Sequence, residues 1–317
     1  RAHPLKQTKA QAKGISRAIL SSLLRLDYTL GMNDRPLETY LAARKALIER
    51  RLFACLPALD ARPVPLPEAI RHAVLSGGKR LRPILCLAAA EAAGGSANAA
   101  LLPACAVELL HTYTLVHDDL PCMDDDALRR GQPTVHVRYG EAVAVLVGDA
   151  LQALAFETLA ATPEPRPGTV ARLVSELASA AGAAGVIGGQ VEDIRFAGAP
   201  TRAIIDYVFQ HKTADLFRAA ARLGAIAAGA AEDDLARISA YADGIGFAFQ
   251  IIDDLLDAGE AESGGKPELS CLDVMSASEA RDWAASRTRQ AVEALAGLPG
   301  ETAPLVALAE NMLTRIA

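Results

Sequence analysis

The sequence contains a pair of aspartate clusters, each attached to an apolar segment with helical spacing. The clusters contain Asp118, Asp119, Asp124, Asp125 and Asp126 in the first half of the chain, and Asp253, Asp254 and Asp257 in the second. Unpaired carboxylates on a buried helix cost roughly several kcal/mol or become protonated. The sequence therefore predicts that both clusters line one cavity, where cations neutralise them.

Helical spacing extends through most of the chain. Apolar residues make up 51% of the 317 residues and recur at intervals of three and four, whereas strand-like alternation does not persist. The predicted helices include 36–57, 104–120, 140–161, 168–185, 201–228, 232–257, 277–296 and 302–316. We expect an all-α fold in which residues 32–317 form a single-domain bundle of about ten helices around a central cavity.

Residues 1–31 are expected to stand apart from this domain. They contain six basic residues and a single acid, Asp27. We interpret them as an appended or disordered segment, with a targeting signal as the alternative.

Charge and cysteine content exclude several classes of function. The net charge of −6 argues against a nucleic-acid partner, which requires a basic surface. The five cysteines show no metal-ligand spacing, which is typical of reduced thiols in a cytoplasmic protein. No stretch reaches 18 apolar residues without a charge, so we expect no transmembrane span.

The first aspartate cluster has the spacing of a metal site. His111, Thr114 and Asp118 recur on one helical face, and Pro121 ends that helix so that Asp124 can fold back towards Asp118. Adjacent carboxylates at a helix C-terminus are unfavourable without a cation, and Mg²⁺ favours such oxygen ligands. For this cluster alone, a solvated acidic loop is the alternative.

The second cluster strengthens the metal hypothesis. Asp253 and Asp257 lie one turn apart on one helical face, and Ile251 and Ile252 indicate that the helix is largely buried. A metal site between the two clusters would relieve the cost of burying these carboxylates.

Basic residues lie close to both clusters in the sequence. They are Lys79, Arg80 and Arg82 in a turn opened by Gly77 and Gly78, Arg129 and Arg130 after the first cluster, and His211 and Lys212 within a helix. Each group alone is typical of a surface helix end, but together they predict a diphosphate–metal site. We expect Arg129 and Arg130 to lie on a helix and to point about 100° apart, towards different phosphates.

In this order, these segments resemble those of the trans-prenyl diphosphate synthases, most closely the bacterial-type farnesyl diphosphate synthases. The resemblance covers roughly residues 36–317. The segments that match are 77–83, 111–131, Pro133-Thr134, Gly148-Asp149-Ala150, Gly189-Gln190, His211-Lys212-Thr213 and 249–257.

The resemblance implies a homodimeric enzyme that joins isopentenyl diphosphate to dimethylallyl or geranyl diphosphate, with three Mg²⁺ ions per active site. The implied metal-site residues are Asp118, Asp119, Asp124, Asp253, Asp254 and Asp257. The implied substrate-binding residues are Arg129 and Lys212 for the allylic diphosphate, Lys79, Arg82, His111 and Arg130 for isopentenyl diphosphate, and Thr213 and Gln250 near the developing carbocation.

Product length is expected to depend on Tyr113, five residues before the first aspartate. In the resembling family this position lines the floor of the pocket for the growing tail. A bulky floor resembles enzymes that stop at fifteen carbons, whereas smaller residues resemble geranylgeranyl synthases. The alternative is that Tyr113 only packs in the core.

Two departures from the family pattern stand out. Ala127 occupies a position where the family usually has a further aspartate. The region after Asp257 is shorter than usual, so Lys266 matches either of two family lysines. The sequence does not decide between them, nor whether this region closes the active site as it does in the family.

Other functions fit the sequence less well. A weakly active prenyltransferase-like subunit that modifies a partner would explain the short region after Asp257. A terpene cyclase normally lacks a second aspartate-rich motif of this kind, and a ligand-free bundle would not need either cluster. Geranylgeranyl or geranyl diphosphate remain alternative products.

Overall fold

Helices dominate the structure, as the spacing of apolar residues predicts. The computed structural model describes residues 37–164, 166–258 and 269–316, so the predicted segment 1–31 and Lys266 lie outside the described residues. The α-helices are α1 (Leu37–Cys55), α2 (Leu66–Leu75), α3 (Leu81–Ala92), α4 (Leu101–Asp118), α5 (Val135–Tyr139), α6 (Glu141–Ala160), α7 (Thr169–Ala181), α8 (Val186–Arg195), α9 (Arg202–Val208), α10 (Asp215–Ala228), α11 (Glu232–Asp257), α12 (Ala277–Ala294) and α13 (Ala303–Thr314). The all-α prediction is confirmed.

Helix α4 lies at the centre of the bundle. Twelve of its eighteen residues are buried, which is more than a helix with one apolar stripe would bury. It packs against α3, α6 and α10, and its C-terminal end carries the first aspartate cluster. The core therefore holds this cluster on a helix that is surrounded by others.

The observed helix ends agree with the predicted ones to within a few residues, with two exceptions. The predicted helix 168–185 ends at Ala181, where Gly182 takes an extended backbone, and the separate helix α8 follows. The predicted helix 201–228 is continuous, but Phe209–Ala214 forms a π-helix between α9 and α10. Such π turns are frequent at functional sites, and this one carries Lys212 and Thr213.

The predicted helix at Arg129 and Arg130 is wrong. Leu128–Arg129 and Gln132–Pro133 form two short antiparallel strands. Arg130 and Gly131 both have positive φ angles, of 55° and 74°, as the tight turn of a hairpin requires. The hairpin, and not a helix, therefore separates the directions of the two arginine side chains.

Two segments, Glu141–Ala160 and Thr169–Arg195, are long and apolar enough to cross a membrane by length and composition alone. The stricter rule of 18 apolar residues without a charge, applied to the sequence, predicts no such span. Within the bundle, α6 packs closely against α4, and a turn between Ala181 and Val186 interrupts the second segment. Core helices of a bundle have the same composition.

Candidate active site

The first aspartate cluster folds back on itself, as Pro121 within it predicts. Asp118 is the last residue of α4, and the backbone N–H of Asp124 donates to the Asp118 carbonyl at 2.9 Å. The N–H groups of Met123 and Asp125 both donate to the Leu120 carbonyl, at 2.8 and 3.1 Å. The turn thus brings Asp124 beside Asp118.

Burial of these carboxylates changes their protonation. Burial is the main cause that raises the pKa of the Asp118 carboxyl to about 7; Lys212 opposes this rise and Asp124 adds to it. Burial also raises the pKa of Asp124, again against the effect of Lys212. A bound cation would relieve this cost by stabilising both carboxylates in their charged form.

Asp119 faces different partners from Asp118. It is only 3% exposed and accepts hydrogen bonds from Arg129 Nε at 2.9 Å and Nη2 at 2.5 Å. Arg129 Nη2 also donates to Asp126 at 2.7 Å. The structure therefore joins the predicted metal-site residue Asp119 to the predicted phosphate-binding residue Arg129.

Helix α8 contributes two side chains that the sequence motifs left without a role. Gln190 Nε2 donates to Asp118 Oδ1 at 2.9 Å, and Asp193 Oδ2 accepts from Lys212 Nζ at 2.6 Å. Within the described part of the chain, Gln190 Oε1 is buried without a hydrogen-bond partner. Gly189 allows this close approach, because a Cβ there would lie 2.3 Å from the backbone nitrogen of Lys212.

The π-helix is fixed by a buried carboxylate. Asp215, 2% exposed, accepts hydrogen bonds from Gln210, His211 and Arg218, each at 2.8 Å. His211 is thus bound within its own helix, while Lys212 lies close enough to influence the first aspartate cluster. The segment predicted from His211-Lys212-Thr213 therefore divides into an anchoring residue and residues that face the site.

The second cluster is held by residues from distant parts of the chain. Asp253 Oδ1 lies 3.3 Å from Arg315 Nη1. Asp254 is 8% exposed and accepts from the Cys271 N–H at 2.6 Å and from Ser270 Oγ at 3.0 Å. Asp254, for which the resemblance implies a part in the metal site, thus also holds the segment after residue 268, while Asp257 is exposed.

Hydrogen bonds connect this cluster to the π-helix. Thr213 Oγ1 donates to Gln250 Oε1 at 2.9 Å, and Gln250 Nε2 donates to Asp254 Oδ1 at 3.2 Å. Thr213 and Gln250, which the family resemblance places near the carbocation, are therefore brought together.

The predicted isopentenyl-binding residues also converge. Arg82 Nη1 lies 3.2 Å from His111 Nε2, and Arg130 donates to the Gly77 carbonyl. Burial, followed by the charge of Arg82, lowers the pKa of His111 well below its usual value, so the ring is neutral and Nε2 accepts. In the described residues His111 Nδ1 is buried without a hydrogen-bond partner.

Arg80, in the same basic segment, has a different role. It is 3% exposed and donates to Glu108 at 2.6 Å and to the Val74 carbonyl at 2.6 Å. This buried pair holds the start of α3 against α4, which positions Arg82 for the site.

Among residues 37–164, 166–258 and 269–316, no three His, Cys, Asp or Glu side chains form a complete metal-ligand set. Mg²⁺ does not require one, since it is usually bound through one or two carboxylates, waters and substrate phosphates. Asp118 and Asp124 provide crowded carboxylates, and Gln190 provides a buried oxygen that could accept from a metal-bound water. The residues therefore fit Mg²⁺.

Tyr113 lies on α4 below the first cluster and is 4% exposed. Its ring meets the ring of His117 edge-on, with centroids 5.6 Å apart. His117 in turn packs against Gly148, where a Cβ would lie 1.9 Å from His117 Nε2. Tyr113 is therefore held in a fixed position by its neighbours.

Comparison with known proteins gives consistent matches. The family model for polyprenyl synthetase matches residues 64–276. The chain is 40% identical to the heterodimeric geranylgeranyl pyrophosphate synthase large subunit 1 of Arabidopsis thaliana; the match covers 87% of this chain and 79% of the relative. It is also 40% identical to a geranylfarnesyl diphosphate synthase of Leucosceptrum canum, in a match that covers 88% of this chain and 80% of the relative. Among solved structures, an FPP/GFPP synthase from Zymomonas mobilis is similar, with a TM-score of 0.81 and 38% identity over 87% of this chain and 98% of the other.

Proposed function

The chain belongs to the polyprenyl synthetase family and is a chain-elongating prenyltransferase, and on that premise we propose that it makes farnesyl diphosphate. It would join isopentenyl diphosphate head to tail to dimethylallyl diphosphate and then to geranyl diphosphate. The observation that carries the fifteen-carbon product is the buried Tyr113 ring, which is fixed against His117 below the aspartates.

The two substrates would occupy different cation groups. Arg129 and Lys212, which lie beside the first aspartate cluster, would bind the allylic diphosphate. Lys79, Arg82, Arg130 and the Nδ1–H of His111 would bind isopentenyl diphosphate. Planar guanidinium groups suit the oxygens of a diphosphate because they donate in pairs.

The chemistry requires charge stabilisation more than proton transfer. The allylic C–O bond ionises, the isopentenyl double bond attacks the carbocation, and a proton leaves to the departing diphosphate. The Mg²⁺ ions, of which we propose three, supply positive charge to that leaving group when bound. Asp118 and Asp124 would hold them on one side, and Asp253 and Asp257 on the other.

Other side chains would stabilise the reacting carbon. The Thr213 hydroxyl and the Gln250 amide oxygen lie together near the site and present lone pairs to a developing positive charge. Because the surrounding helices are apolar, water is kept from the carbocation.

The relatives support a second candidate product. Several are named geranylgeranyl synthases, one is named a geranylfarnesyl synthase, and the similar structure is named for two product lengths. A twenty-carbon product would follow if the tail passes Tyr113.

Tyr113→Ala tests the product directly. If the ring closes the pocket, the wild type releases mainly the fifteen-carbon product and the variant extends it to twenty carbons or more. If Tyr113 only packs in the core, the variant loses about 3–5 kcal/mol of unfolding free energy and keeps the wild-type product length. Chromatography of the dephosphorylated products after incubation with Mg²⁺ and both substrates separates these results.

The outcomes for the wild type are equally decisive. A twenty-carbon product would replace the farnesyl assignment with a geranylgeranyl one. Absence of turnover by the purified chain would favour the weakly active subunit, and adding a partner enzyme would then change that partner's product.

We also propose that the chain forms a homodimer. Val137 on α5 and Val145 and Leu146 on α6 are 53%, 42% and 57% exposed, and a second copy would cover such an apolar surface. Sedimentation of the purified chain should give twice its mass, and a single mass would contradict this assembly.

A further inference from the structure

An arginine near the C-terminal end of the described chain reaches the second aspartate cluster. Arg315 directly follows α13, and its Nη1 lies 3.3 Å from Asp253 Oδ1. Both side chains are about one-third exposed, at 31% and 33%. Ligands can therefore reach this ion pair and compete with it.

Helix packing determines this contact. Helix α13 buries Leu305, Leu308, Ala309 and Met312 on one face, and Tyr241 of α11 donates to the Leu305 carbonyl at 2.6 Å. From that bond, Asp253 lies about 18 Å further along α11 and Arg315 about 15 Å further along α13, at 1.5 Å per residue. The two helices thus run in the same direction and bring both charges to the same end.

Other cations act on the same carboxylate. Like the charge of Arg315, the charges of Lys79 and Arg82 at the beginning of α3 interact with the Asp253 carboxylate. Lys79 and Arg82 are the residues expected to bind isopentenyl diphosphate. Just before α13, Gly300 donates to the Ala92 carbonyl at the end of α3 at 2.9 Å, and α13 packs along α3. The far end of α13, with Arg315, therefore lies towards the beginning of α3, where that diphosphate would sit.

We propose that Arg315 is the resident counter-ion of Asp253 and that a divalent cation bound at Asp253 displaces the arginine. The displaced guanidinium then binds the isopentenyl diphosphate held by Lys79 and Arg82. The inference rests on the proposed function. A divalent cation at Asp253 repels the guanidinium, so both cannot remain at their present distance from one carboxylate. The neighbouring diphosphate offers the released guanidinium a bidentate partner.

The proposal predicts opposite effects of one substitution on two ligands. Mn²⁺ alone should bind Arg315→Ala up to about fivefold more tightly than the wild type, because a partly exposed competitor is gone. Isopentenyl diphosphate, titrated with Mg²⁺ and without an allylic substrate, should bind about tenfold more weakly, since a charge-assisted hydrogen bond is lost. Titration calorimetry measures the affinities for Mn²⁺ and for isopentenyl diphosphate without turnover.

Two further variants act as controls. Arg315→Lys keeps the charge but not the fork of donors, so its two affinities should fall between those of the wild type and Arg315→Ala. Arg289→Ala removes an exposed arginine of α12 and should leave both affinities unchanged. Arg315→Gln, which retains much of the side-chain stem, replaces Arg315→Ala if that variant does not fold.

The proposal would be overturned if a folded Arg315→Ala protein binds Mn²⁺ and isopentenyl diphosphate as tightly as the wild type does, or if it binds both more weakly. If the wild type binds no Mn²⁺, or if Asp253→Ala does not weaken Mn²⁺ binding, the metal site of the proposed function fails and this inference fails with it. If the wild type binds Mn²⁺ through Asp253 and Arg315→Ala behaves identically to the wild type, only the role of Arg315 is lost.

Discussion

The two aspartate clusters contain the same residue type but are held by different parts of the chain. In the first, Asp119 is bound by Arg129, only ten residues away. In the second, Asp254 is bound by Cys271, 17 residues away, and Asp253 by Arg315, 62 residues away. Asp119 of the first cluster is thus held by a nearby residue, whereas both aspartates of the second are held by tertiary packing, as is Asp118 through Gln190, 72 residues away.

Both clusters nevertheless divide their adjacent aspartates in the same way. Asp119 and Asp254 are buried and each accepts at least two hydrogen bonds, whereas Asp118 and Asp253 are more exposed. Consecutive residues near a helix end point about 100° apart, so adjacent carboxylates cannot both face one ligand. We infer that the first aspartate of each pair serves the ligand and the second holds the surrounding structure.

The largest expected effect concerns the first aspartate of each pair. Asp118→Ala and Asp253→Ala should each lower turnover by at least about 10³, equivalent to several kcal/mol of transition-state stabilisation. Steady-state assays of folded proteins measure this effect, and Asp282→Ala, which removes an exposed acid of α12, should retain activity. Near-normal turnover in either variant would show that its cluster does not serve the reaction.

The second aspartate should instead affect stability. Asp254→Ala leaves the buried Cys271 N–H without its acceptor and should lower the free energy of unfolding by about 1–3 kcal/mol. Asp253→Ala removes only a partly exposed ion pair and should cost less than about 1 kcal/mol. Denaturant titration of both variants tests the division, and equal losses would contradict it.

The backbone turn of the first cluster could be predicted from the sequence to a large extent. Pro121 and the spacing of the aspartates predicted that Asp124 folds back to Asp118, because that turn depends on neighbouring residues only. The helical prediction for Arg129 and Arg130 failed because positive φ angles at Arg130 and Gly131 turn the chain into a hairpin. A single glycine after two arginines is a weak signal for such a turn.

The packing-dependent contacts could not be predicted. Gln190 and Asp193 lie three residues apart on α8, a helical spacing that signals a shared face but not its partners. Arg315 carries no motif, and its contact with Asp253 depends on how α13 runs along α11. These roles follow only once the helices are placed in three dimensions.

The protonation state of Asp118 should make the stability of the protein depend on pH. Burial raises the pKa of Asp118 to about 7 in the metal-free protein, so between about pH 4 and 7 the folded state keeps a proton that the unfolded chain has lost. The free energy of unfolding should therefore fall as pH rises through this range, by at most about 1.4 kcal/mol per unit. Asp118→Asn should remove that contribution to the slope.

Urea titrations of the metal-free wild type and Asp118→Asn at several pH values measure this difference. The variant should gain stability relative to the wild type as pH approaches 7. A constant difference between the two proteins would mean that Asp118 is not held in its neutral form.

The smallest expected effects separate the two arginines of the hairpin that follows the first cluster. Arg130→Ala should raise the apparent KM for isopentenyl diphosphate by about tenfold, because Arg130 lies with His111 and Gly77.

Arg129→Ala should raise the KM for the allylic substrate more than that for isopentenyl diphosphate. It should also lower kcat, since it leaves the buried Asp119 without its partner. Arg129→Lys, which retains the charge, should recover part of the KM but less of the kcat. Steady-state kinetics with each substrate varied in turn measures these differences, and equal effects of both alanine substitutions on both substrates would refute the assignment of the two arginines to separate diphosphates.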